Sequence, residues 1–248
     1  MQRFFNSFLV VVFVFVLFNF SHADVFVKQK KHTGAFKIMG REQPAKDVIE
    51  TIWITKDKVR SDNENRSYIL LLNEKKMYFL DNARKTYTVI PLDLDKISKA
   101  ATKGEKVDSD EKQKFMDFAK NMMQIKISVV PTGESKKIRN WNCKKYIQTI
   151  ETQMGPTRTE IWASEDIHID YDLYNQFSSA LMATQPGMKQ MLKDMMAEMK
   201  KIKGVPVLTT TITKMMGSEM RSSQEILEVK QGTAPSGIFA VPKDFKME

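Results

Sequence analysis

Short runs of alternating apolar and polar residues dominate the chain from Val48 onward, and they predict β-strands. Examples are Val48–Thr55 (VIETIWIT), Tyr68–Leu72 (YILLL), Met77–Leu80 (MYFL) and Thr86–Ile90 (TYTVI), which are separated by short charged turns. Connections this short join antiparallel neighbours. This part of the chain is therefore predicted to be a meander of β-hairpins.

Similar runs return in the second half of the chain, bounded by proline and glycine turns. Upstream of the meander, Lys28–Arg41 is polar and basic and predicts a loose lead-in or a first strand. The pattern predicts about nine strands, all antiparallel in tendency. The predicted strands of the second half, with the apolar tail that follows them, are Ile125–Val130, Lys145–Glu151, Thr157–Ala163, Val205–Met215, Met220–Lys230 and Ile238–Phe245.

Two stretches change to helical spacing. Asp108 and Glu111 have the spacing of an N-terminal capping box, and the apolar residues after them predict a helix over Asp110–Gln124. Tyr171–Lys203 is the longer helical stretch and is divided by Pro186-Gly187; the part after this break predicts an amphipathic surface helix with lysines away from its apolar stripe. That stripe comprises Met188, Met191, Leu192, Met195, Met196, Met199 and Ile202.

The N-terminal residues 1–23 have the pattern of a secretory signal peptide. Arg3 provides a positive charge, Phe8–Phe18 is uninterruptedly apolar, and Ser21-His22-Ala23 gives a small-x-small cleavage pattern. The apolar run is shorter than the roughly 20 residues of a spanning helix. We therefore expect cleavage near Ala23 and a periplasmic or secreted mature chain.

Composition narrows the function classes. After cleavage about 225 residues remain, which fits one domain over 24–248 with helical insertions near 92–124 and 171–203. The single cysteine, Cys143, excludes an internal disulfide. The formal net charge of +9 favours contact with anionic phospholipid surfaces. Nucleic acid is not expected as a partner, because the lysines are dispersed and no arginine-rich arm or aromatic groove is present.

The order of elements predicts an α+β fold that is mainly β: a barrel or a strongly curved antiparallel sheet covered by helices. The segments ETIWITKDKVRSD, KKMYFLDNARKTYTVIP, WNCKKY and FAVPKDFK resemble the DUF4412 family of uncharacterised bacterial extracytoplasmic proteins. That family is similar in turn to the LolA/LolB lipoprotein-carrier superfamily. The resemblance implies an incomplete, LolA-like β-barrel whose concave side is closed by helices around an apolar cavity, which in characterised relatives accepts acyl chains. It implies no catalytic residues and no named ligand.

The methionine-rich stripe is the clearest functional clue. Methionine is unbranched and polarizable, so a methionine-lined surface can repack around apolar ligands of different shapes. The same stripe is also what ordinary core packing of a helix on a sheet would require. The candidate cavity wall comprises Trp53, Ile54, Leu70, Leu72 and Phe79, and the candidate lid comprises Phe115, Met122, Met191, Met195 and Met199.

Two groups of residues offer alternative metal sites. Met191, Met195 and Met199 at i, i+4 and i+8 could offer thioethers to Cu(I), although no histidine lies in this helix. Asp166, His168 and Asp170 would share one side of an extended segment, but zinc sites usually have more His or Cys ligands. Alternation of apolar and polar residues at the end of a strand explains the Asp166-His168-Asp170 pattern equally well, so no metal is expected.

Nothing in the sequence indicates an enzyme. There is no G-x-S-x-G nucleophile motif or glycine-rich phosphate loop, and Cys143 has no evident histidine partner. Cys143 is expected to pack as a small apolar residue. The sequence thus favours an extracytoplasmic carrier or binding protein for an apolar, lipid-like ligand without a cofactor. The alternative is an envelope interaction protein with a filled core, and the two differ in whether the sheet encloses empty apolar volume.

Overall fold

The computed structural model of the protein describes residues 24–38, 40–91, 126–152, 155–168, 197–215 and 218–248. The predicted signal peptide, the predicted helix over Asp110–Gln124 and most of the predicted helical stretch at 171–203 lie outside these residues. The described part of the chain contains one helical turn, at 197–199, and it gives no support for helices that close the concave side. None of its helices is long and apolar enough to span a membrane.

Strands make up most of the described chain. Their bounds are β1 Asp24–Thr33, β2 Phe36–Ile38, β3 Arg41–Gln43, β4 Lys46–Ile54, β5 Lys58–Asp62, β6 Arg66–Leu71, β7 Lys76–Asp81, β8 Thr86–Pro91, β9 Lys126–Ile138, β10 Trp141–Thr152, β11 Gly155–Ser164, β12 Val205–Met215, β13 Ser218–Gly232 and β14 Lys246–Met247.

Twelve of these strands form one sheet in the order β14-β8-β7-β6-β5-β4-β1-β13-β12-β11-β10-β9, and β2 and β3 form a small separate hairpin. Neighbours in the large sheet are antiparallel, except that β14 runs parallel to β8. The described edge strands, β14 and β9, do not pair with each other, so the sheet is not closed. The predicted mainly β antiparallel architecture is confirmed at this level.

The meander of hairpins is also confirmed, because β4 to β8 pair in sequence order. The N-terminal lead-in was predicted as either a loose segment or a first strand, and the structure shows a strand. It is a ten-residue strand, β1, in the middle of the sheet between β13 and β4. Val25 and Val27 are buried in it, and the alternation continues into Gln29, so polar and basic residues occupy a strand with two partners.

The sheet is strongly curved where its second half meets its middle. Glu225 of β13 pairs with Leu208 of β12, which pairs with Trp162 of β11, which in turn pairs with Lys145 of β10. Glu225 and Lys145 therefore lie at the same level of the sheet. In a flat sheet Arg139, six residues before Lys145, would lie about 20 Å along the strands and about 14 Å across them from Glu225. The Arg139 Nε atom is instead 2.8 Å from Glu225 Oε1. The β9–β10 turn therefore bends back toward β13.

Three apolar clusters hold the described chain together. A central cluster includes residues of β1, β4–β7 and β10–β13, and Ile138 and Trp141 beside the β9–β10 turn pack against it. A second cluster joins β9–β11 to Ile202, with Met199 packed against it. In a third, the C-terminal tail packs Phe239, Val241 and Phe245 on β6 and β7. The tail was predicted only as an apolar run, and the structure shows that it covers one side of the meander.

Candidate apolar binding face

A continuous apolar row crosses one side of the meander. Consecutive pairings join Val25 of β1, Ile54 of β4, Val59 of β5, Leu70 of β6 and Met77 of β7. Directly paired residues project to the same side of a sheet. We call this side of β1 and β4–β7 the Leu70 face. All members of the row are buried, and three have no exposed surface.

A second row on the Leu70 face is less completely covered. Its aromatic members, Tyr68 and Phe79, are partly buried and meet edge to face with ring centroids 5.1 Å apart. Leu72, just beyond β6, is also partly buried against the central cluster. The row runs through Val229, Val27, Ile52, Ser61, Tyr68 and Phe79. Large apolar side chains on this face therefore keep some accessible surface around a buried floor.

The opposite side, which we call the Trp53 face, has a row of mostly apolar residues. Trp53 pairs with Phe26 at 5.2 Å between ring centroids, and the row continues through Arg60 to Ile69 and Tyr78. Since successive residues of a strand point to opposite sides, Trp53 and Ile54 cannot line the same wall. The predicted wall residues Ile54, Leu70, Leu72 and Phe79 all belong to the Leu70 face, and Trp53 does not.

The predicted lid residues are described only at Met199. It packs against the second cluster, and Gln148 Nε2 lies 3.2 Å from its sulfur. It is therefore not in the same cluster as Leu70. The other predicted lid residues, which lie outside the described residues, are Phe115, Met122, Met191 and Met195.

The Leu70 face also contains a polar group that the sequence analysis missed. Buried Glu50 accepts hydrogen bonds from Gln29 Nε2 and from Ser61 Oγ (2.6 Å), and its Oε2 lies 2.6 Å from Lys31 Nζ. Gln224 Nε2 in turn donates to Gln29 Oε1 at 2.8 Å. The alternation of β1 and β4 contained the signal, because Gln29 and Lys31 continue the series of Val25 and Val27. The pairing of β1 with β4 was not predicted.

The remaining candidate groups have structural partners. The backbone N–H of Asn142 donates to Asp166 at 2.7 Å, and this bond is the largest cause that lowers the pKa of Asp166. Asp170 lies outside the described residues, which contain no group of three or more His, Cys, Asp or Glu side chains suited to a metal. Cys143 is buried in the central cluster, as predicted, and burial raises the pKa of its thiol.

Comparison with known proteins gives a family and no activity. No curated protein matches the chain. Among solved structures it is similar to the crystal structure of a DUF1329 family protein from Desulfovibrio piger, at 10% sequence identity and a TM-score of 0.29, with 88% of this chain and 89% of that chain covered. A TM-score this low carries no argument about function. The family model described as a domain of unknown function (DUF4412) matches residues 33–245, most of the chain, and the protein therefore belongs to the DUF4412 family.

Proposed function

We propose that the mature chain is an extracytoplasmic, non-enzymatic carrier or binding protein for an apolar, lipid-like ligand. The observation that carries the proposal is the Leu70 face, where partly accessible Tyr68, Leu72 and Phe79 surround a buried apolar floor. A ligand on this face would gain about 0.8 kcal/mol per buried methylene. A chain of a dozen carbons would then gain roughly 10 kcal/mol before ordering costs are subtracted.

The cover over such a ligand would come from two places. Ile138 and Trp141, beside the bent β9–β10 turn, already pack against the central cluster. The helices predicted over Asp110–Gln124 and Tyr171–Lys203 would add methionine side chains that repack around ligands of different shapes. This arrangement is the helix-closed, LolA-like half-barrel that the sequence motifs resemble.

Signal-peptide cleavage after Ala23 would leave all described residues of the central strand β1, Asp24–Thr33, in the mature chain. The Asp24 side chain accepts a hydrogen bond from the backbone N–H of Ala234 at 2.8 Å, which ties the new N-terminus to the C-terminal tail. The net positive charge of the mature chain would draw the protein to anionic membrane surfaces, where such ligands occur.

The second candidate is an envelope interaction protein with a filled core. It is favoured by one observation: Val59, Leu70 and Met77 have no exposed surface, so the floor of the Leu70 face is packed. In that case the accessible aromatic residues would contact a protein partner, and the chain would carry no lipid.

Neighbouring aromatic residues of β7 test the proposal. Phe79 lies on the Leu70 face and Tyr78 on the Trp53 face, and both are partly buried. We expect Phe79→Ala to weaken binding of the fluorescent apolar probe N-phenyl-1-naphthylamine about tenfold, because it removes apolar contact area. Tyr78→Ala is the matched control and should leave binding unchanged.

Thermal unfolding of both variants verifies that each is folded. Equal probe binding by Phe79→Ala and the unsubstituted protein would contradict the assignment of the Leu70 face. No probe binding by the unsubstituted protein would favour the interaction protein.

A further inference from the structure

The C-terminal tail crosses the Trp53 face in the way that a separate peptide would. Phe239, Val241 and Phe245 of the tail pack on residues of β6–β8, and Arg60 of β5 donates a hydrogen bond to the carbonyl oxygen of Ile238. The tail therefore runs from β5 toward β8. We call the residues under it the tail-covered surface: Ile69, Leu71, Tyr78, Leu80 and Tyr87.

The end of the tail adds a short strand to the sheet. The backbone N–H of Lys246 donates to the carbonyl oxygen of Lys85 at 2.9 Å, and that of Glu248 donates to the carbonyl oxygen of Tyr87 at 3.0 Å. These bonds place β14 beside β8 in parallel. Main-chain bonds to a strand, with apolar side chains packed beside it, are how proteins bind an extended peptide by strand addition.

The tail is held less firmly than the sheet beneath it. Ile69 has no exposed surface, whereas Phe239 and Phe245 are only partly buried. Strand β14 pairs just two residues with β8, and the ion pair of Lys85 with Asp244 is 60% and 56% exposed, so solvent screens it. Segments with few buried contacts open locally at a lower free energy than the whole chain. The tail can therefore leave while β5–β8 stay paired.

We propose that the tail is a displaceable internal occupant of a peptide-binding site. When the tail leaves, the tail-covered surface and β8 bind an extended segment of another protein, which adds parallel to β8. Newly exposed apolar surface of this kind favours association with a partner. The site lies opposite the Leu70 face, so the inference goes beyond the proposed function and does not depend on it.

The tail also shows which chemistry the partner segment needs. Its aromatic residues occupy the positions of Phe239 and Phe245, and Lys58 Nζ lies 6.0 Å from the ring centroid of Phe239. An acidic residue directly precedes the second aromatic residue, because Lys85 Nζ donates to Asp244 at 2.7 Å. The partner segment is therefore extended, apolar and aromatic, with a carboxylate placed to meet Lys85.

Hydrogen exchange of the unsubstituted mature chain tests whether the tail opens alone. The amides of Phe245 and Lys246 donate to Pro242 and Lys85 in the closed tail. We expect their protection factors to be at least about a hundredfold lower than those of β6, because local opening costs less free energy than global unfolding. Protection equal to that of β6 would show that the tail leaves only when the sheet unfolds, and would overturn the inference.

Binding of the tail as a separate peptide tests the site itself. The probe is a fluorescein-labelled peptide of residues 237–248, and its affinity for the full mature chain is measured by fluorescence anisotropy. We expect Phe239→Ala/Phe245→Ala in the chain to strengthen peptide binding about tenfold, because the weakened tail competes less for an intact site. Lys243→Ala is the matched control: it changes an exposed residue of the same tail and should leave peptide binding unchanged.

Three binding results would overturn the inference. No binding of the peptide to the folded double variant would show that the surface accepts no separate segment. Equal binding to the double variant and the unsubstituted chain would show that the peptide binds elsewhere. Equal binding of a peptide with both phenylalanines replaced by alanine would show that the aromatic residues are not recognised. Circular dichroism verifies folding, and the single variant Phe239→Ala replaces a double variant that does not fold.

Discussion

The two sides of the meander are built by the same alternation and differ in what covers them. On the Trp53 face, Ile69 and Leu80 are covered by the C-terminal tail through Phe239 and Phe245. On the Leu70 face, Leu70 is equally buried, but in the central cluster and without the tail. Aromatic side chains are partly accessible on both faces, Tyr68 and Phe79 on one and Trp53 and Tyr78 on the other. Alternating patterns thus build two apolar faces, and only the tertiary arrangement shows which one is closed by the chain's own tail. The ligand proposal rests on this difference.

The largest expected effect is shared by both faces. Ile69 and Leu70 are neighbours with no exposed surface on opposite sides of β6. We expect Ile69→Ala and Leu70→Ala each to lower the free energy of unfolding by about 3 kcal/mol, because each leaves a cavity. Urea denaturation monitored by tryptophan fluorescence measures both values.

Added ligand should separate the same two variants. At saturating oleate, Ile69→Ala should gain stability as the unsubstituted protein does, whereas Leu70→Ala should gain less because its binding face is altered. Equal ligand-induced stabilisation of the two variants would remove the distinction between the faces.

The tail contact should affect stability without affecting binding. Phe245 is partly buried against the cluster on the Trp53 face. We expect Phe245→Ala to lower the free energy of unfolding by about 2 kcal/mol through lost apolar burial, and to leave probe affinity unchanged. Weaker probe binding in a folded Phe245→Ala variant would place the binding surface under the tail instead of on the Leu70 face.

The ion pair beside the bent turn should have a smaller effect. Arg139 and Glu225 are 43% and 34% exposed, so solvent screens their attraction. Arg139→Ala should lower the free energy of unfolding by less than about 1 kcal/mol, and most of this loss should vanish in 1 M salt. Glu225→Ala is the matched variant, and a double-mutant cycle isolates the pair. A coupling of zero at low salt would contradict its role in holding the turn.

The smallest expected effect is an acid-dependent loosening of the tail. The hydrogen bond from Lys85 Nζ to Asp244, 2.7 Å long, lowers the pKa of Asp244 below its ordinary value. A carboxyl whose pKa is lowered by folding stabilises the protein above its unfolded pKa, and this contribution is lost as the pH falls through the folded pKa.

We therefore expect Lys85→Met to lower the melting temperature slightly at pH 6, and this effect to shrink toward about pH 2 as Asp244 becomes protonated in the folded state. Melting curves recorded between these pH values test this. The same shift at both pH values would show that Lys85 acts through packing.

The sequence was sufficient for the meander because each hairpin there has a strong alternating pattern and a short turn. It was insufficient for the role of β1, where Lys28, Lys30 and Lys31 resemble a solvated lead-in although the strand lies between two others. Burial of Gln29 depends on Glu50, 21 residues away, and on Gln224, 195 residues away, and no local pattern reports such pairings. The role of β1 could not be predicted because it depends on pairings between residues far apart in the sequence, whereas the meander depends on local patterns.

The error in the candidate wall is of a different kind, because local alternation was enough to avoid it. Trp53 and Ile54 were placed on one wall, although alternation within a strand requires that they point to opposite sides. Leu72 and Phe79 do lie on the same face as Leu70, because the short β6–β7 hairpin sets their register; that this face is a cavity wall stays a prediction. The lid could be inferred from helical spacing alone, and at Met199 the structure shows a contact with a different cluster.

The most direct test of the central claim is mass spectrometry of organic extracts from the mature protein, purified from its native envelope without detergent. The carrier proposal predicts a fatty acid or phospholipid species at about one molecule per protein chain. A clean extract from folded protein would contradict it and would favour the envelope interaction protein.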